Sequence, residues 1–557
     1  MSTKPDTLAI PISPNVSRGP RIAIATSAAL AMVLLAGGAN AQLRDVKEKI
    51  SGNTVNEGIQ KNLPEQVGAG RGSTSVQGSS LYIIKRDPFR AIRRGRQLFQ
   101  RKFLPTQGFS GRDRAGNIAV DASIGAGVVD SCAGCHGRPR GSAGAGGDVF
   151  TRPDSRDAPH LFGLGLQEQL GDEITTDLRA IRASAIAAAQ SSGSAQTRAL
   201  TSKTINYGSI VANPNGTVNT AGVVGVNADL RVRPFFIQGG TISIREFAVG
   251  AFNAEMGLQS DDPDLKAAAI NHQRIVTPAG MVLDGAIDSI EGPPVTGNNG
   301  LDPDGDGISN EMPQSLVDFM EFYLLNYFKP GTSILPDRAT EVSTGRSLFT
   351  SAGCATCHIA NLTINQDRRV ADVETNFSDF NPADGILTDG NPINRLFAVG
   401  ATRFIAVDDP GPEPVLKNPS LGSFVVQNFF ADLKRHDLGP NFWERNFDGT
   451  LQKQIMTEPL WGVATTAPYG HDGRSSTLEE VIVRHGGEAQ GARDAFIALS
   501  RANKNLVLAF LNSLVLFAPD DTASNLSPIN PAAANFPQNG HGAIALTPLF
   551  NNPADRE

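Results

Sequence analysis

Two copies of one five-residue motif constrain this chain more than any other feature. Cys132-Ala133-Gly134-Cys135-His136 and Cys354-Ala355-Thr356-Cys357-His358 both read C-x-x-C-H. That spacing is the attachment site of c-type haem: two thiols add across the haem vinyl groups, and the next residue offers a fixed imidazole to the iron. The chain has four cysteines, all of them in these motifs, so none is left for a disulfide. A four-cysteine zinc site or a thiol redox pair would use the same thiols but needs no histidine after each pair. Two covalently bound haems c are therefore expected, on Cys132 and Cys135 with His136, and on Cys354 and Cys357 with His358.

Covalent haem attachment in bacteria takes place outside the cytoplasm, and the N-terminus has the makings of an export signal. Arg18 and Arg21 precede an apolar stretch from Ile22 to Ala36, and Ala39-Asn40-Ala41 offers an A-x-A cleavage site before Gln42. The stretch is short and interrupted by Thr26 and Ser27, which argues against an uncleaved anchor. A periplasmic or secreted protein, not membrane-held after cleavage, is expected. The formal charge of −7 becomes more negative once Lys4, Arg18 and Arg21 leave with only Asp6. That balance disfavours nucleic acid and anionic membranes as partners and suits a small basic electron donor.

The organisation is that of a duplication. Gly95-Arg96-Gln97-Leu98-Phe99 and Gly345-Arg346-Ser347-Leu348-Phe349 repeat a G-R-x-L-F pattern ahead of each haem motif, with an insertion in the first copy. Leu and Phe fall on the core side of a helix. Each unit also needs a closing helix, expected over 315–328 and 506–514, ended by Pro330 and Pro519. The expected fold is mainly α, with two cytochrome c-like haem domains in tandem and long loops and insertions. Its parts are a signal peptide (1–41), an N-terminal arm (42–90), a first haem domain (91–335), a second (340–518) and an extended tail (519–557). Within the first domain, 180–230 reads as an Ala-rich helix and a Ser/Gly/Asn loop.

A longer signature makes a family resemblance specific. It runs from Pro459-Leu460-Trp461-Gly462 through Thr466-Ala467-Pro468-Tyr469-Gly470-His471-Asp472-Gly473 and Thr477-Leu478-Glu479-Glu480 to His485-Gly486-Gly487-Glu488-Ala489. With the two haem motifs it resembles the bacterial dihaem cytochrome c peroxidase superfamily. The H-G-G-E-A ending, Asp302-Pro303-Asp304-Gly305-Asp306-Gly307 and His436-Asp437-Leu438-Gly439-Pro440 are most similar to its dihaem oxidoreductase branch. The resemblance spans most of 90–515 and is patchier between 140 and 260.

The resemblance implies roles residue by residue. The position fourteen after His471 is the distal ligand of the second haem in the peroxidases, usually methionine; here it is His485. The alternative for His485 is a surface helix histidine beside a Gly-Gly cap. Phe252-Asn253-Ala254-Glu255-Met256-Gly257 resembles an element whose glutamate stands over the open face of the first haem, which makes Glu255 the candidate acid/base. Splitting peroxide needs a base to move a proton from one oxygen to the other, and a carboxyl group in a dry pocket has its pKa raised towards the working range. A helix glutamate beside a core Met256 is the alternative. His160 either ligates the first haem, as a displaceable loop histidine does in the peroxidases, or packs beside Phe162. His436 and His471 are expected as hydrogen-bond partners near the second haem, while His272 and His541 carry no signal.

Calcium has two candidate places. Thr466 and Pro468 match carbonyl ligands of the peroxidases, and Asp302, Asp304 and Asp306 resemble the start of an EF-hand loop whose twelfth position, Pro313, is not a ligand. One departure stands out. The peroxidases place a tryptophan between the haems, where this chain has Pro234-Phe235-Phe236-Ile237; its two tryptophans are Trp443 and Trp461. Inter-haem transfer is then left to Phe, the propionates or direct tunnelling. The expected activity is peroxide reduction at the first haem with electrons relayed through the second from a cytochrome c or cupredoxin. The alternatives are a dioxygen-using oxidase or oxygenase acting on a protein side chain or an apolar polymer such as rubber, and a non-enzymatic electron carrier.

Overall fold

Glycine at the head of each G-R-x-L-F element lets two helices approach until backbone meets backbone. The computed structural model describes residues 71–72, 76, 78–86, 88–103, 131–136, 156–260, 262–293, 312–326, 331–332, 334, 336–366, 373–374, 401–402, 423–446 and 448–516. In the first unit the helix Pro88–Gln100 crosses the closing helix Gln314–Leu325 at Gly95, where a Cβ would lie 2.2 Å from the Phe319 carbonyl oxygen. In the second, the helix Ala339–Ser351 crosses Arg501–Leu511 at Gly345, where a Cβ would lie 1.9 Å from the Leu506 carbonyl oxygen. Both distances are impossible for any side chain, so the repeated glycine is fixed by the crossing itself. Phe99 and Phe349 are buried beneath these crossings, as the repeat predicts. The closing helices form where expected, with ends shifted by a few residues at Asn326 and Asn512.

The mainly α class is not borne out. Among the described residues only 43% are helical, and many small antiparallel strand pairs accompany them. The largest departure lies in the insertion. The helix Leu164–Ser192 starts earlier than expected, and the segment read as a loop is a three-stranded antiparallel sheet, Gln196–Ser202, Ile205–Ala212 and Val218–Asn219. Ile205, Tyr207, Ile210 and Ala212 are buried while Asn206 is exposed, a period near two that the surrounding Ser, Gly and Asn obscured. Six further two-stranded ribbons occur among the described residues. Each is two or three residues long, too short for alternation to show in sequence.

The insertion buries its apolar side against the second unit. Leu166, Leu170, Leu200, Tyr207 and Val232 share a core with Leu362, Ile364, Val426, Phe429 and Trp461. Polar ties reinforce the contact: Glu173 accepts from Asn365 N at 2.9 Å, and the Tyr207 hydroxyl donates to the Asp432 carbonyl at 3.0 Å. The strand Leu514–Val515 pairs with Gly331–Thr332 and joins the units again. No helix among the described residues is long and apolar enough to cross a membrane. The proposed signal peptide, the tail, and Asp302, Asp304 and Asp306 lie outside the described residues.

A buried ionic cluster fixes the helix that carries Glu255. Ser243 caps Ile244–Met256 by accepting from Glu246 N, and Gly257 ends it in the left-handed region. Arg245, on its first turn, is fully buried. It bonds Asp262 twice (2.5 and 2.9 Å), Asp318 at 3.1 Å and Glu321 at 2.7 Å, tying this helix to the first closing helix. Arg71 adds bonds to Asp264 and Asp318 from the N-terminal side. Removing one partner of such a set strands the others without charge compensation. Arg245→Met is expected to destabilise the protein by about 3–5 kcal/mol, read as a lowered denaturation midpoint. A change below about 1 kcal/mol would mean the cluster does not hold these helices together.

Candidate haem sites

Each C-x-x-C-H histidine is held in the same way, by one aromatic ring and one carbonyl. The Phe99 ring lies 6.5 Å from His136 at 43°, and Phe349 lies 6.1 Å from His358 at 50°. His136 Nδ1 bonds the Pro159 carbonyl at 2.7 Å, and His358 Nδ1 bonds the Phe430 carbonyl at 2.8 Å. A carbonyl can only accept, so each Nδ1 carries the proton and each Nε2 keeps its lone pair, the tautomer a metal-bound imidazole requires. Burial keeps both rings neutral, pushing His136 down and holding His358 at about 4, where the nearby His485 adds to the effect. Phe430 presents its carbonyl from a left-handed backbone (φ 54°), as do its neighbours Asn428 and Leu433, so the chain accepts local strain to make this bond.

His485 has the same arrangement. Its Nδ1 donates to the Val481 carbonyl at 2.7 Å, the Phe442 ring stands 5.0 Å away, and burial lowers its pKa. It sits at the end of the helix Leu478–Arg484, whose start is fixed by a Thr477–Glu480 capping box. The next three residues secure it. Gly486 N donates to the Leu438 carbonyl, and Gly487, in the left-handed region, approaches the Asp437 carbonyl so closely that a Cβ would lie 2.1 Å from it. Glu488 accepts from Asp437 N at 3.0 Å and from His436 Nδ1 at 2.8 Å. The H-G-G-E sequence is thus one imidazole and the clamp that aims it.

One continuous cavity of about 1070 Å³ is lined by all four cysteines, His136, His160, His358, His471, His485, Glu255, Thr466 and Pro468. That is at the top of the roughly 300–1,000 Å³ span of single-ligand pockets. Its walls are mostly apolar. Burial pushes the Cys132 thiol up to about 12 and the Cys354 thiol up to about 11. Buried His471 Nδ1 finds no hydrogen-bond partner among the described residues, as expected of a donor meant for a bound group. Paired thiols, neutral imidazoles with Nε2 to spare, an apolar hollow and an orphan polar atom together fit haem at both motifs.

His160 is placed differently. Its Nε2 donates to the Trp461 carbonyl at 3.1 Å and its Nδ1 accepts from Phe162 N at 3.2 Å, so both nitrogens are engaged within the protein. Burial holds it neutral at about 4. It also packs beside Phe162, with ring centroids 5.8 Å apart. Glu255 is half-buried on the cavity wall.

Two acidic features were not anticipated from sequence. Glu458 lines the cavity, and burial by the surrounding protein pushes it up to about 7 although its side chain faces the hollow. His436 lies between two carboxylates, Asp432 at 2.8 Å and Glu488 at 2.8 Å. Burial opposes its charge, but the bonds to Asp432 and Cys357 and their charge lift it to about 10. The Asp432 share remains when Cys357 Sγ is a thioether. Cys357, Asp432 and His436 place ligand atoms within 4.8 Å of one another. Both His436 nitrogens carry protons, so this trio is an ion pair and not a metal site. Neither Thr466 nor Pro468 belongs to it. His436 was singled out from sequence as a hydrogen-bond partner, whereas Asp432, four residues before it, was not.

Because Asp432 raises the His436 pKa on folding above about 6.5, its stabilisation is complete below that pH and is lost as pH rises through the raised value. His436→Gln is expected to be less stable than the wild type near pH 6, with the gap closing at alkaline pH in urea melts. A pH-independent gap would mean the ring is not protonated.

Against known families, residues 414–514 match the model described as "Di-haem oxidoreductase, putative peroxidase". No curated protein matches the chain. The matched segment holds the Glu488 clamp, His436, His485 and Trp461, and its description agrees with the dihaem oxidoreductase resemblance carried by the motifs.

Proposed function

We propose that this chain is a periplasmic dihaem c-type oxidoreductase that reduces peroxide at its first haem site, with electrons supplied through its second. The observation that carries the reading is the single cavity onto which both C-x-x-C-H motifs, His485 and Glu255 open. Haem, when bound, supplies one-electron redox chemistry and an axial coordination position. Cys132 and Cys135 would attach one group and Cys354 and Cys357 the other, with His136 and His358 as proximal ligands. His358 and His485 would clamp the second group from both faces, which suits a relay of electrons from a small donor protein. Two imidazoles in place of the usual imidazole and thioether favour a low potential there.

The first site is built for a reactant. His160 spends both nitrogens on Trp461 and Phe162, so in this conformation it would not serve as a ligand there. Glu255 would take a proton from one peroxide oxygen and deliver it to the other, letting water leave. Arg245 and its acidic partners hold the helix that presents Glu255.

A second reading draws on the aromatic wall. Phe235, Phe236 and Phe247 line the cavity, with Phe236 and Phe247 ring centroids 5.2 Å apart. An oxidase or oxygenase with an apolar organic substrate would use that surface.

Glu255→Gln keeps the volume and removes the base. Peroxide turnover is expected to fall about 10²–10⁴-fold with haem content intact. Normal turnover would remove Glu255 from the chemistry. A wild type that turns over no peroxide but consumes dioxygen with an apolar substrate would establish the second reading. His485→Ala is expected to convert the optical bands of the second site from low-spin to high-spin without altering the first. An unaltered spectrum would assign the ligand elsewhere.

A further inference from the structure

The two proximal imidazoles are joined through the protein by an unbroken run of short contacts. His136 Nδ1 bonds the Pro159 carbonyl at 2.7 Å, and the next residue is His160. His160 Nε2 donates to the Trp461 carbonyl at 3.1 Å. The Trp461 ring meets the Phe429 ring edge-on, with centroids 5.0 Å apart and planes at 82°. The next residue, Phe430, gives its carbonyl to His358 Nδ1 at 2.8 Å. Three hydrogen bonds, two peptide links and one ring contact thus connect His136 to His358.

Trp461 is the one link in this run that is chemically suited to hold an electron vacancy. Indole is more easily oxidised than a phenyl ring or a neutral imidazole. The rival cavity wall of Phe235, Phe236 and Phe247 offers only phenyl rings. Trp461 is 1% exposed, and its Nε1 finds no hydrogen-bond partner among the described residues. With no base at Nε1, an oxidised ring keeps its proton and can be refilled by an electron alone. The ring is also held still: Gly163 packs against it, and a Cβ there would come within 2.6 Å of a ring carbon.

We infer that Trp461 is the inter-haem electron relay of this protein, reached from the first site through Pro159 and His160 and from the second through Phe429 and Phe430. The inference rests on the dihaem reading. In the step, Trp461 gives one electron to the first site after peroxide has oxidised it. It then regains one from the reduced second site, which ends oxidised by one electron. No bond is made or broken, and His160 keeps its Nε2 proton.

The test is flash photolysis of carbon monoxide from the half-reduced holoprotein, following electron redistribution between the sites by absorbance. Trp461→Phe is expected to keep both haems, both spectra and both potentials, and to lose the fast phase of redistribution. His160→Leu, which breaks the bond to Trp461, should lose it too, and it decides the matter if Trp461→Phe fails to fold. Phe247→Leu should retain the fast phase. An unchanged fast phase in Trp461→Phe, or its loss in Phe247→Leu alone, would overturn the route. A wild type that incorporates no haem would instead overturn the dihaem reading.

Discussion

A hydrogen bond from imidazole Nδ1 to a backbone carbonyl decides what the rest of this structure can do. His136, His358 and His485 each make one, to Pro159, Phe430 and Val481. The bond sets the tautomer, fixes the ring plane and leaves Nε2 as a lone pair. Each carbonyl must therefore be presented accurately, and much of the local structure serves that end. Phe430 takes a left-handed backbone, His485 ends a capped helix, and the loop through Pro159 is tied to the second unit by bidentate Arg156–Glu444 bonds and by Asp157 N to the His471 carbonyl. The same loop carries His160, so the segment that orients His136 also docks the two units.

The duplicated parts were legible in sequence because they are local. C-x-x-C-H and G-R-x-L-F recur as short strings, and the structure gives each residue a reason. Gly95 and Gly345 sit where helices touch backbone to backbone, while Phe99 and Phe349 support the imidazoles. The closing helices were legible for the same reason, since their apolar period is continuous over three turns. His485 was singled out only through resemblance, because nothing in its own neighbourhood distinguishes a ligand from a helix-end histidine.

What escaped the sequence depends on contacts far apart in the chain. The sheet at 196–219 was read as a loop, because its buried Ile205, Tyr207 and Ile210 are interleaved with residues typical of turns. Its apolar face shares a core with Leu362, Val426 and Trp461, more than a hundred residues away. The His436 ion pair needs Glu488, and the clustering around Arg245 needs Asp318 and Glu321. Tertiary pairing of this kind overrides local propensity. It also explains why the small ribbons, and with them the departure from a mainly α fold, were not visible beforehand.

Low-temperature electron paramagnetic resonance of the oxidised wild-type protein tests the central claim most directly. The account predicts two haems per chain. One should be low-spin with two imidazole ligands, His358 and His485. The other should be high-spin with its distal position open, because His160 is bound to Trp461 and Phe162. Two low-spin signals would contradict the open first site, and a protein carrying no haem would contradict the account as a whole.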